Sequence, residues 1–384
     1  MRVSKGWGNS SCKPFRTKRL QLVTEWLPKF TFSAIVRGRH LPQSAMHTSE
    51  ASFTDLKHTR KGTVVYPRRS VGIVPQTIAG LSFLLLIVGT THATFPGRNG
   101  LIAFQAQTDT GIQIFTVHPN GQGLQQITHV NGDAVAPDWS PDGRQIVFEH
   151  DAPGECANVA IMNADGTGLI EFPDPTLCQL DPSFTPDGTR IIFDRFDPTT
   201  NDEAFWSMDR NGNDRQRIGP CCFDPNASPD GEKLSFLSGP TGGKALFTSN
   251  IDGSNVFQVT PYSFDVAVKQ DWAPDGRHLV FTKDGDVLKP GVSANIATIN
   301  PDGTHLRFVT HYQGGNISAF VGSYSPDGKW IVFRLNDHGL FGLFKIRPDG
   351  THLKTIIPLS SFRPRFIDWG AQPSEADDED DDAN

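Results

Sequence analysis

The sequence predicts an all-β protein, a six-bladed β-propeller of four-stranded antiparallel blades, closed by pairing its N- and C-terminal strands in one blade. Three observations predict it. The first is a turn that recurs at blade spacing. Trp139-Ser140-Pro141-Asp142-Gly143 leads into Ile146-Val147-Phe148. It returns as Phe184-Thr185-Pro186-Asp187-Gly188, Ala227-Ser228-Pro229-Asp230-Gly231, Trp272-Ala273-Pro274-Asp275-Gly276 and Tyr324-Ser325-Pro326-Asp327-Gly328, each followed by an apolar run. The glycines lie 45, 43, 45 and 52 residues apart. The second is a hairpin signal, Asn-Gly or Asp-Gly between apolar runs. It stands at Asn120-Gly121, Asp165-Gly166, Asn211-Gly212, Asp252-Gly253, Asp302-Gly303 and Asp349-Gly350. The third is the way the ends complete the count. Residues 95–104 read as the strand after a turn, and Phe366-Ile367-Asp368-Trp369 as the strand before one. The two half-repeats therefore share a blade, and closing the ring removes exposed strand edges.

Each element has a local cause. In Ser-Pro-Asp-Gly, proline presets φ for the second turn position, serine bonds back to the backbone, and glycine takes the next bend. The aromatic residue before the turn ends one strand, and the β-branched and aromatic run after it starts the next. A metal-ligand or catalytic reading of these aspartates is weaker than the turn reading, because the same residue sits in every repeat.

These aromatic-Ser-Pro-Asp-Gly and Asn-x-Asp-Gly repeats resemble the TolB-type β-propeller repeat (WD40-like, PD40) over about residues 95–370. That resemblance implies the six-bladed domain of TolB and the related propellers of prolyl-oligopeptidase-type peptidases. It is specific for fold and weak for function, since every matched residue is structural. The mixed α/β domain that TolB carries before its propeller has no counterpart between Ala93 and the first strand. No Gly-x-Ser-x-Gly elbow is present, and the sequence as given leaves no stretch in which to expect the peptidases' hydrolase domain.

Charge divides the chain. Residues 1–70 carry a balance of +11 and the remainder −18, against −7 overall. An acidic propeller without a basic stripe argues against nucleic-acid binding. Residues 1–67 read as a basic leader, disordered or a gene-model extension. Residues 68–93 read as a signal peptide, with Arg68-Arg69, an apolar core over 78–89 and the small-residue site Thr91-His92-Ala93. A membrane anchor, touching the bilayer only through residues 71–89, is the alternative; its apolar core is short of the roughly 20 residues a span prefers. The expected location is periplasmic or extracellular, or membrane-anchored with the propeller outside. Residues 94–370 form the propeller, and 371–384 are an acidic, disordered tail.

Both repeated turns fall on one face of the ring. The other face carries the b–c loops and the d–a crossovers, whose variable sequence suits binding. Its candidate residues are His129, Asp133, Asp194, Tyr262, Phe264, Asp265, His311 and Tyr312. His129 and His311 follow strand d in their blades and are expected near the channel mouth. There they could serve a metal or general-base site with Asp133 or Asp265. Tyr262, Phe264 and Tyr312 are candidate channel aromatics for glycan. Cys156, Cys178, Cys221 and Cys222 are an even set for an exported protein. Cys156–Cys178 is the expected bond; Cys221 and Cys222 are left to a vicinal bond or to one of them bridging Cys178. No Cys-x-x-Cys with partner histidines supports a metal, and no cofactor is expected. The function expected is a monomeric, non-enzymatic scaffold that binds a protein or peptide at the cell envelope. The alternatives are a metal-dependent propeller hydrolase or lyase, or a cell-surface glycan-binding module.

Overall fold

A computed structural model describes residues 97–200, 202–219 and 222–374. The leader, the segment 68–93, Cys221 and residues 375–384 of the acidic tail lie outside the described residues, while Ala371, expected to open that tail, is buried in the closing strand. Six four-stranded antiparallel sheets form a ring. The innermost strands, in blade order, are Arg365–Ala371, Asp133–Trp139, Cys178–Phe184, Phe223–Ala227, Gln270–Trp272 and Ile317–Tyr324. Blade 1 combines Arg365–Ala371 with Asn99–Thr108, Gly111–Val117 and Gln125–Gln126, so the two chain halves close the ring in one sheet.

The repeated turns do what their sequence predicts. In blade 2, Gly143 N–H donates to the Ser140 carbonyl at 2.9 Å. The Ser140 hydroxyl donates to Asp142 Oδ1 at 2.6 Å and accepts the Gln145 N–H at 2.8 Å. The same bonds recur at Ser228 and Ser325. At the hairpins the aspartate caps the backbone two residues on, as Asp165, Asp252, Asp302 and Asp349 do. Hydrogen bonds from the neighbouring Thr or Ser hydroxyl and N–H hold all four carboxyls below the usual aspartate range.

Blades stack face to face, so their middle strands are buried on both faces and read as continuous apolar runs, not alternating ones. Ile146, Val147 and Phe148 are wholly buried. Ile146 and Phe148 pack with Ala103 and Ile114 of blade 1, while Val147 packs with Phe184 and Phe193 of blade 3. Six apolar clusters fill the six junctions, including Ile102 and Phe104 against Val332 and Leu343 where the ring closes. Burying each such side chain contributes about 1.5–3 kcal/mol.

Candidate functional site

The innermost strands carry two sets of polar positions that the repeat alone does not announce. The residue before each turn aromatic, or before Ala227 in blade 4, is Asp138, Ser183, Asn226, Asp271, Ser323 or Asp368. All but Asn226, whose amide donates to the Asp224 carbonyl of its own strand, latch their blade to the next. Asp368 accepts the Trp139 N–H at 2.9 Å, Asp138 the Phe184 N–H at 2.9 Å, Asp271 the Tyr324 N–H at 2.8 Å and Ser323 the Trp369 N–H at 2.8 Å. The Ser183 hydroxyl donates to the Pro225 carbonyl at 2.6 Å.

Two residues earlier the backbone bulges. Ala136, Asp181, Asp224, Lys269 and Phe366 have φ of 51°, 46°, 54°, 118° and 46°, a left-handed region that side chains rarely occupy. Non-glycine residues held there are a mark of functional or over-determined sites. The register shifts in blades 1–4 and 6 fall at this point. In three blades the bulge N–H is met by a second latch from the preceding blade, at the residue after the strand-b phenylalanine. Gln105 Oε1 accepts from Ala136 at 2.7 Å, Glu149 Oε2 from Asp181 at 3.0 Å and Thr282 Oγ1 from Val321 at 2.8 Å.

The bulges line the central channel. Asp138, Asp181, Asp224, Asn226, Lys269 and Phe366 bound a space of about 240 Å³, counted out to open solvent. Lys269 is the cation of this set. Burial opposes its charge, but Asp224, Asp368, Asp138 and Asp271 around it prevail and hold it above the ordinary lysine range. Burial pushes the Asp224 carboxyl up to about 6 against the pull of Lys269. Burial, and then the Asp368 charge, raise Asp138 well above the usual carboxylate range. Among the described residues no three His, Cys, Asp or Glu side chains are grouped to hold a metal ion.

The loop-face candidates do not converge on this channel. His129 is exposed, with its ring beside Gln126 of an outermost strand. His311 is exposed too and lies against Phe308, also of an outermost strand. Strand d is the outer edge of a blade, so residues that follow it start at the rim. Asp133 accepts the Ile112 N–H at 2.7 Å, and Asp265 is buried against Lys289 Nζ at 3.2 Å, so neither is disposed to serve those histidines. Phe264 packs against the blade 4–5 core and stacks on Phe281 instead of facing the channel. Tyr312 is half-buried, its backbone held by Asn295 and its phenol raised by burial. Asp194 is wholly buried at the second-latch position. Tyr262 is 46% exposed and shares the loop 239–243 with Val287, 39% exposed, which Leu288, 48% exposed, follows.

A disulfide joins Cys156 to Cys178 across the blade 2–3 crossover. Cys222 is a buried cysteine whose thiol donates to Ser238 Oγ, and burial pushes it up to about 12; Cys221 lies outside the described residues. The polar residue ahead of each turn aromatic was a legible signal for the channel wall, because it recurs in six blades.

No family model matches the chain. Among curated proteins, it is 25% identical over 145 residues to the uncharacterized peptidase YuxL of Bacillus subtilis, covering 29% of this chain and 22% of that protein. It is 49% identical over 37 residues to the Tol-Pal system protein TolB of Nitratidesulfovibrio vulgaris, covering 10% of this chain and 8% of that one. The chain thus spans less than a quarter of either relative. Among solved structures, TolB from Acinetobacter baumannii superposes with a TM-score of 0.59 at 17% identity, covering 73% of this chain and 69% of that one. The fold is a TolB-like six-bladed propeller.

Proposed function

We propose that the chain is an exported, non-enzymatic propeller whose loop-rich face binds a protein or peptide partner at the cell envelope. The observation that carries this reading is the exposed apolar patch of Tyr262, Val287 and Leu288 on that face. Tyrosine and large aliphatic side chains left in water beside a rigid ring suit a docking surface better than a reaction centre. Resemblance to TolB supports the location and the mode, as does the segment 68–93 read as an export signal. The test is a cross-linked pull-down from the native envelope with the full chain as bait, beside a variant with loop 284–294 replaced. One protein enriched reproducibly, and lost with the loop, supports the reading. Equal capture by both baits, or recovery of the chain only from the cytoplasm, contradicts it.

The second reading is catalytic, favoured by the match to a peptidase-named protein. That match covers less than a quarter of YuxL, so its whole activity does not transfer on identity alone. A hydrolytic activity that survives purification of this chain would establish it.

A further inference from the structure

The second latch is made in blades 1, 2 and 5, and blade 6 places a cation at its position. The position after the strand-b phenylalanine is Gln105, Glu149, Asp194, Leu237, Thr282 and then Arg334. Gln105, Glu149 and Thr282 accept the bulge N–H of the next blade. A guanidinium has five donors and no acceptor, so Arg334 cannot make that bond to Phe366. Its own needs go unmet as well. Among the described residues the Arg334 side chain makes no ion pair or hydrogen bond, and its Nε is shut away from water without a partner.

What surrounds Arg334 is cationic and aromatic. Its Cζ sits 4.2 Å from the centre of the Phe320 ring and 5.5 Å from that of Phe341. Arg363 sits 4.7 Å from the same Phe341 ring and likewise forms no ion pair or side-chain hydrogen bond. Arg365 lies 6.0 Å from Phe366. Stacking on a ring face stabilises a cation but leaves its N–H groups unbonded. Burial, then Arg365 and Arg363, push Arg334 down to about 9. Gathering like charges round a part-buried guanidinium costs stability unless something anionic joins them.

We infer that Arg334 and Arg363 form an oxyanion-binding site on the loop face, between blade 6 and the closing strand, for a carboxylate or phosphate bearing an apolar portion. The guanidinium fork matches either group. Phe320 and Phe341 supply the apolar wall. A Cβ on Gly285, at the start of loop 284–294, would lie 3.5 Å from the Phe320 ring, so that loop begins near this wall. The site stands on its own geometry and does not require the scaffold reading.

The test is thermal unfolding of the full chain at matched ionic strength, with chloride, inorganic phosphate or phenylacetate at millimolar concentration. Phosphate or phenylacetate should raise Tm by about 2 °C or more beyond chloride, and the larger shift identifies the preferred source. Arg334→Gln should abolish that response. It should also raise Tm without any anion, because glutamine at the equivalent Gln105 accepts the neighbouring N–H. Arg334→Lys keeps the charge, loses the fork and should lose most of the response. Shifts no larger than with chloride, or an undiminished response in both variants, overturn the site. So does an Arg334→Gln protein less stable than the parent without anion, which would make the guanidinium structural.

Discussion

At the residue scale the channel is where the physical chemistry is least ordinary. Lys269 is buried at a strained bulge and stands among Asp138, Asp224, Asp271 and Asp368. Folding therefore fixes Asp138 and Asp224, whose carboxyls burial raises, beside one ammonium. The sign of the linkage follows. Asp224, raised to about 6, contributes stability that is fully present below its unfolded pKa near 4 and is lost as pH rises through 6. Asp138, also raised, acts in the same direction. The hairpin aspartates act oppositely, their contribution present above pH 4 and lost as pH falls. Unfolding free energy should thus fall by about 1–1.5 kcal/mol between pH 5 and 8 on account of Asp224. Chemical denaturation across that range checks it, and in Asp224→Asn the decline should be visibly flatter. An identical slope in the variant would mean that Asp224 titrates normally.

At the element scale, one turn sequence is used in different surroundings. Gly143 and Gly276 both end a Pro-Asp-Gly turn at φ near +68°. A Cβ on Gly143 would lie 2.1 Å from the backbone carbonyl of Ala371, at the closing strand, whereas one on Gly276 would rest 3.8 Å from Pro229. Gly276→Ala should cost about 1 kcal/mol, the left-handed penalty alone. Gly143→Ala should cost about 3 kcal/mol or more, because backbone must move. Equal losses in urea titrations would contradict this account of closure. The comparison also shows what was legible in advance. Ser-Pro-Asp-Gly and Asp-Gly fix where strands end, and the half-repeats at Phe104 and Trp369 fix how the ring closes. Radial order is a different matter. A period counts strands without saying which one walls the channel, so His129 and His311 were expected at its mouth and lie by the outermost strands. Arg334 reads in sequence as one more strand residue. Only the latches from Gln105, Glu149 and Thr282 show what that position can do for the neighbouring blade and a guanidinium cannot.

At the largest scale, six apolar junctions and the latches between blades make a propeller with unlike faces. The turn face is built from the same short motif throughout and offers little variety to a partner. The loop face holds the Cys156–Cys178 bond, the patch at Tyr262, Val287 and Leu288, and the arginines over Phe320 and Phe341. A rigid scaffold carrying varied loops on one side is the usual division between stability and recognition. The central claim is that this face, and not the other, meets the partner. Photo-cross-linking in the native host tests it most directly, with the reactive side chain placed at Val287 or Leu340 on the loop face and at Asp165 or Asp302 on the turn face. The account predicts a discrete adduct from the loop-face positions and none from the turn-face pair. An adduct from Asp165 or Asp302 alone, or no adduct from any position, would contradict it.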